Sequence, residues 1–143
     1  MKTARQLLQE KSRQAIFSVP PTATVYQALQ LMAEKDIGAV LVMEGDDLVG
    51  IFSERDYARK VVLQGKTSAG TPIVDIMTKR VVFAKPSQTV DQLMAIMSEK
   101  RFRHLPVMDG EHVLGVLSIT DLVREQIAEQ QFLIEQLENY IHG

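Results

Sequence analysis

Two short phrases in this chain pair a hydroxyl with a carboxylate at a spacing that a helix start can use: Ser53-x-x-Asp56 and Ser118-x-x-Asp121. Each follows an apolar, glycine-containing run and opens a helical segment. A carboxylate can accept hydrogen bonds from two adjacent hydroxyls. A helix N-terminus offers unpaired N–H groups and the positive end of its dipole to an anion. The same phrase is also a capping box, in which the serine and the acid satisfy each other's backbone amides without any ligand. Taken singly, either copy is better read as a cap, because caps vastly outnumber ligand sites.

Other chemistries find little support. The three histidines, His104, His112 and His142, show neither His-x-x-x-His nor His-Glu-x-x-His spacing, and the chain has no cysteine, so a metal site is not expected. There is no Gly-x-Ser-x-Gly elbow, Gly-x-Gly-x-x-Gly loop or Walker loop. Asp56 and Asp121 belong to separate copies and lack an evident partner for acid/base work. The expectation is a protein that is not an enzyme.

The elements that must position these phrases come from an internal repeat. Shifted by 65 residues, Pro21 to Arg59 lies over Pro86 to Arg124 without a gap. Thr24 then meets Thr89, Gly50 meets Gly115, Ser53 meets Ser118 and Asp56 meets Asp121. Such duplication implies units that bury apolar faces against each other. Each copy reads as strand, helix, strand, strand, helix. Thr24-x-x-Gln27 and Thr89-x-x-Gln92 are capping boxes. Val25, Ala28, Leu29 and Met32 recur at helical spacing, as do Val90, Leu93, Met94 and Met97. Val40–Met43 and Leu105–Met108 suit buried strands. Leu48–Phe52 and Val113–Leu117 are the return strands, across turns at Gly45 and Gly110. Residues 64–72 read as a loop, and Thr71-Pro72 as an N-cap with proline at the first helical position, opening a short helix through Ile76-Met77. The chain divides as an N-terminal helical extension (1–14), first motif (15–63), linker with a short helix (64–79), second motif (80–125) and C-terminal helix extension (126–143).

The ends differ from the repeats. Residues 3–11 predict a short helix with Ala4, Leu7 and Leu8 on one face. Residues 119–141 predict one helix, roughly 30 Å long at 1.5 Å per residue. Its stripe of Val123, Ile127, Ile134, Leu137 and Ile141 suits either packing on its own module or a dimer contact. The chain has 143 residues, 45% apolar and 24% charged, with a formal net charge of -2, as ordinary soluble proteins do. Without a cationic stripe, DNA or RNA binding is not expected. No apolar run approaches the roughly 20 residues that span a bilayer. The first residues lack an apolar signal core. A cytoplasmic protein is expected.

The repeat, its strand pattern and the phrases Arg103-His104-Leu105-Pro106-Val107 and Gly115-Val116-Leu117-Ser118-Ile119-Thr120-Asp121 resemble the CBS motif, named after cystathionine beta-synthase. Ser53 to Lys60, with Asp75-Ile76-Met77-Thr78 after it, is similar to stand-alone CBS-pair proteins. The resemblance spans residues 15 to 125 or so. It implies an α+β (α/β) fold: two pseudo-twofold-related β-α-β-β-α CBS motifs forming one compact module, with extra helices at both ends. It also implies an adenosine ligand (AMP, ADP, ATP, S-adenosylmethionine or NAD(H)), frequent homodimerisation and action through an unidentified protein effector. In that context two equivalent Ser-x-x-Asp copies favour a ligand site over a bare cap. The alternative is a ligand-free structural dimerisation module.

The resemblance also assigns roles. Asp56 and Asp121 would accept from ribose hydroxyls, and Ser53 and Ser118 would contact phosphate. Each cleft would borrow from both repeats. Ile51 and a strand at Val81-Val82 would flank adenine near Asp56. There Arg103, His104 and Arg55 would meet phosphate, and Leu105-Pro106 would form a wall. Near Asp121 the wall would be Ile16-Phe17 and Val116. Gly38, Ala39 and Thr120 stand where the other cleft has Arg103, His104 and Arg55, so two unequal sites are expected, the Asp121 one taking a less charged group or staying empty.

Overall fold

The computed structural model describes residues 1–11 and 15–142. Helices and strands are mixed, with two small sheets, as the α+β expectation requires. The chain forms two compact units. One contains Ala15–Val82 and Gly110–Val113. The other contains Met1–Gln14, Phe83–Asp109 and Leu114–Gly143.

In the first unit, strand β1 (Ser18–Val19) pairs in parallel with β2 (Ala39–Glu44), and β2 pairs antiparallel with β3 (Asp47–Ser53). The helix between β1 and β2, numbered α2 (Val25–Lys35), starts at the Thr24–Gln27 capping box and ends at Asp36 in the left-handed conformation. Its apolar stripe packs on the sheet. Val25, Ala28 and Met32 are buried together with Val40, Val42, Phe52, Val61, Ile73 and Ile76. Gly45 turns the β2–β3 hairpin at φ 61°, a conformation that disfavours a side chain. After β3 the chain makes one α-turn, α3 (Glu54–Asp56), and continues as a π-helix, Tyr57–Val62.

The linker differs from the sequence reading at one point. Thr71 does not cap a helix. Its side chain is drawn back into the loop, where the hydroxyl donates to the Thr67 carbonyl at 2.6 Å. Pro72, extended at φ -65° and ψ 143°, is the residue before a single 3₁₀ turn, Ile73–Asp75. Thr78 then bonds Ile51 in both directions, at 3.0 and 2.8 Å. Val81 and Val82 form no strand.

The second unit repeats the plan. Ala84 bridges Val107 in parallel at the place that β1 holds in the first unit. Helix α4 (Val90–Lys100) starts at the Thr89–Gln92 capping box and buries Val90, Leu93 and Met97. Strands β4 (His104–Asp109) and β5 (His112–Ser118) pair as a two-stranded sheet. Both strands, like β2 and β3, run one residue further at each end than the apolar runs suggested. Helix α5 (Ile119–His142) follows β5 directly. Only Leu122 of α5 is buried.

Helix α1 (Ala4–Glu10) is an integral part of this unit rather than an appendage. Thr3 and Gln6 form its capping box, and Thr3 bridges Thr89. The Ala4 and Arg5 amides donate to Gln88 and Pro86 at 2.8 and 3.0 Å, and the Val90 amide donates to Lys2 at 3.2 Å. Ala4 and Leu7 are buried. Leu8 lies on Gly115, where an added Cβ would come within 2.8 Å of its Cδ2. Met77 covers Gly50 in the same way in the first unit.

Candidate functional site

Both Ser-x-x-Asp phrases sit where a return strand becomes a helix. In the first, the Ser53 amide donates to Asp56 Oδ2 at 3.0 Å, the Ser53 hydroxyl donates to the same oxygen at 3.2 Å, and the Asp56 amide donates to Ser53 Oγ at 3.3 Å. In the second, the Ser118 amide donates to Asp121 Oδ2 at 2.8 Å and the Asp121 amide donates to Ser118 Oγ at 3.2 Å. The capping chemistry is therefore present in both. The short rigid link fixes each carboxylate relative to its strand, which is what positioning a hydroxyl pair would require. Neither acid is fully exposed: the side chains are 14% and 15% accessible.

Each carboxylate also holds an ammonium, from a different source. Lys60, one turn along the π-helix, reaches Asp56 Oδ1 at 3.1 Å and donates to the Ile76 carbonyl at 3.1 Å. The equivalent position in the second repeat is Glu125, which pairs instead with Lys2 at 3.3 Å. Asp121 takes its ammonium from α1. Lys11 donates to Asp121 Oδ2 at 2.9 Å and to the Val116 carbonyl at 3.0 Å. Burial is the largest single influence on Asp121 and disfavours its charge, but the Ser118 amide and Lys11 together outweigh it and hold the carboxyl below its usual range.

The other expected residues fall as follows. The Glu54 amide donates to Gly38 at 3.1 Å, so Gly38 and Ala39 lie beside the start of α3. The Ile119 amide donates to Arg103 at 2.8 Å, so Arg103 and His104 lie beside the start of α5. His104 is pushed below its usual range chiefly by burial and then by Lys11, with Asp121 opposing. The neutral imidazole is thus favoured beside the Asp121–Lys11 pair, a neighbourhood the sequence reading did not assign to it. Leu105 and Pro106 are buried in β4, while Arg55, Thr120 and Arg103 are exposed. Ile51, Val116, Val81 and Val82 are half-buried, and Ile16 is exposed. The Phe17 ring carries the Lys35 ammonium 5.5 Å from its centre. Among the described residues no group of three or more metal-ligating side chains gathers. None of the described helices is long and apolar enough to cross a membrane.

Sequence reasoning missed Lys60 and Lys11. Lys60 was legible as an i,i+4 partner of Asp56 on one helix. Lys11 was not, because its contact with Asp121 spans 110 residues.

Duplicated helix-and-hairpin units, each ending in a Ser-x-x-Asp helix start, define a tandem two-repeat module. The chain belongs to the CBS domain family, whose pattern matches residues 6–63 and again 73–128. A protein with CBS domains from Burkholderia ambifaria MC40-6 is similar to it, with 51% identity and a TM-score of 0.86, over 90% of this chain and 96% of that one. The Arabidopsis thaliana protein CBSX3, described as mitochondrial, is 37% identical over 125 residues. That match covers 84% of this chain but 61% of the Arabidopsis protein, so this chain spans less than two thirds of that relative's length. The CBS domain pair of protein MJ0100, solved with 5'-methylthioadenosine and S-adenosyl-L-methionine, shares the fold at 23% identity and a TM-score of 0.79, over 90% of this chain and 98% of that one.

Proposed function

We propose that this chain is a non-catalytic sensor that binds an adenosine-containing compound and passes its occupancy to a partner protein. The observation that carries the reading is the duplicated helix start at Asp56 and Asp121. In each copy a largely buried carboxylate is fixed by its own strand and counter-charged by a lysine ammonium. In this reading the two carboxylates accept from ribose hydroxyls. Ser53, Ser118 and the amides at the starts of α3 and α5 face phosphate, with Arg55, Arg103 and His104 as further contacts. Ile51 and Val116 contribute apolar surface for adenine. The ligand class comprises AMP, ADP, ATP, S-adenosylmethionine and NAD(H), with the cytoplasm as the simplest setting. Occupancy acts by favouring one arrangement of the protein over another.

The exposed stripe of α5 supports a homodimer. Ile127, Ile134, Leu137 and Ile141 are 48–73% accessible. A second reading, a ligand-free dimerisation module, is favoured by the completeness of both capping boxes. A thermal-shift screen separates the two. The protein is heated with AMP, ADP, ATP, S-adenosylmethionine, NAD and NADH, and with guanosine nucleotides as controls. Selective binding to the folded state raises the melting temperature. A rise with an adenosine compound that guanosine nucleotides do not reproduce is expected. No rise with any of them would leave the dimerisation module as the better account.

A further inference from the structure

The two copies of the Ser-x-x-Asp element are equivalent in their caps and unlike in their cations. Lys60 belongs to the same helix as Asp56 and is one turn away from it. Lys11 reaches Asp121 from the extended residue that caps the end of α1, a helix tied to its unit by backbone bonds to Pro86 and Gln88 and by Leu8 seated on Gly115. Its ammonium is therefore delivered by a separate, anchored element. It bridges the carboxylate at 2.9 Å and the Val116 carbonyl at 3.0 Å, with 29% of the lysine side chain and 15% of the aspartate accessible. Asp121 Oδ2 thus accepts from both the Ser118 amide and Lys11. A hydroxyl pair approaching this carboxylate meets an oxygen already committed to a tethered cation.

From this arrangement we infer that Lys11 is a built-in competitor for the Asp121 carboxylate, so that a ribose diol that takes up both carboxylate oxygens displaces Lys11 from Oδ2 and is coupled to the end of α1. The inference rests on the nucleotide reading above and deepens it. It also changes the expected preference of the second site. A displaced ammonium needs a new counter-charge. An anionic ligand supplies one, whereas a neutral nucleoside or a cationic sulfonium does not. The site should select for phosphorylated adenosine compounds through a residue that lies outside the repeat.

The test isolates Asp121 by working in an Asp56→Ala background. Adenosine and AMP are titrated calorimetrically into that protein and into versions that also carry Lys11→Met or Lys11→Gln. Asp121→Ala in the same background is the control that assigns any binding to this site. Lys11→Met keeps the length of the stem and removes the charge; both substitutions are at a partly exposed position. The expected result is that both Lys11 variants tighten adenosine binding by about three- to fivefold, the scale of a partly exposed ion pair. AMP should gain less, so that the AMP-over-adenosine preference shrinks. Unchanged or weaker adenosine binding in both variants would overturn the inference and leave the nucleotide reading intact. Failure of adenosine, AMP and every adenosine compound of the thermal-shift screen to bind any version, including the protein with Asp56 restored, would overturn the nucleotide reading and this inference with it. The ligand-free protein gives an independent check on the tie. Lys11→Met and Asp121→Asn should each speed hydrogen exchange at the Lys11 amide, and the double variant should add nothing further; strictly additive effects would count against the coupling.

Discussion

Replacing Asp56 by asparagine separates what its carboxylate does for the fold from what it does for a ligand. Asparagine keeps the size and leaves an oxygen to accept the Ser53 amide, now at 3.0 Å. It loses the charge that Lys60 meets at 3.1 Å. Lys60 is 45% accessible, so that i,i+4 pair contributes about 0.3–0.5 kcal/mol. Weakening a charge-assisted bond to a neutral one removes roughly as much again. The total is about 1 kcal/mol, or a fall of roughly 3 °C in Tm for a chain of this size. Ligand binding should suffer more. An amide that already accepts from Ser53 cannot receive two ribose hydroxyls, and lost bonds to a charged acceptor correspond to roughly ten- to hundredfold in affinity. Urea unfolding without ligand measures the first effect, and calorimetric titration with the compound found in the thermal-shift screen measures the second. A loss above about 3 kcal/mol without ligand would make Asp56 a structural group. Full retention of affinity at the Asp56 site, read in an Asp121→Ala background, would refute the ribose assignment.

Other expectations follow from the same geometry. Gly50→Ala should destabilise more than Gly115→Ala in denaturant titrations. At Gly50 the new Cβ meets Met77 Sδ and Cγ at 2.5 and 2.9 Å and the Thr78 carbonyl at 3.2 Å, whereas at Gly115 its three nearest neighbours all belong to the movable end of Leu8. Equal effects would show that Met77 and its turn give way freely. His104 is held below its ordinary value, so the unfolded chain takes up a proton first as pH falls. Its contribution to stability is fully present above about pH 6.5 and is lost as pH drops through the folded value. Asp121 is also held down, so its contribution is lost in a more acidic window, below the ordinary carboxylate range. Tm measured from pH 7.5 downward should therefore fall in two stages, and His104→Gln should flatten the first. An unchanged first stage in that variant would assign it elsewhere. Ile134→Asp with Leu137→Asp should convert a dimer to a monomer in sedimentation without loss of helix or sheet, because both side chains are exposed within the chain; a parent protein already monomeric at high concentration would refute the dimer.

Much of the fold was legible because the signals are local. Thr24–Gln27, Thr89–Gln92, Ser53–Asp56 and Ser118–Asp121 each close a hydrogen-bonded ring within four residues, and all four form. The hairpins turn at Gly45 and Gly110, where φ is positive, and the helical stripes of α2 and α4 are buried at the positions that their spacing indicates. Even here, local pattern failed when a competing bond existed. Thr71 before Pro72 looks like a cap, yet its hydroxyl finds the Thr67 carbonyl first.

The sequence by itself determined the duplication, the family, the element order and the two carboxylates placed at helix starts, because each is written in neighbouring residues and their period. Only the tertiary structure decided that α1 completes the second unit, that Lys11 counter-charges Asp121 across 110 residues, that His104 shares this neighbourhood, and that the apolar stripe of α5 stays uncovered. Those outcomes depend on which surfaces meet when the chain closes. A lysine eleven residues from the start carries no mark of the carboxylate it will reach, and an amphipathic stripe specifies that it will be covered without naming the surface that covers it.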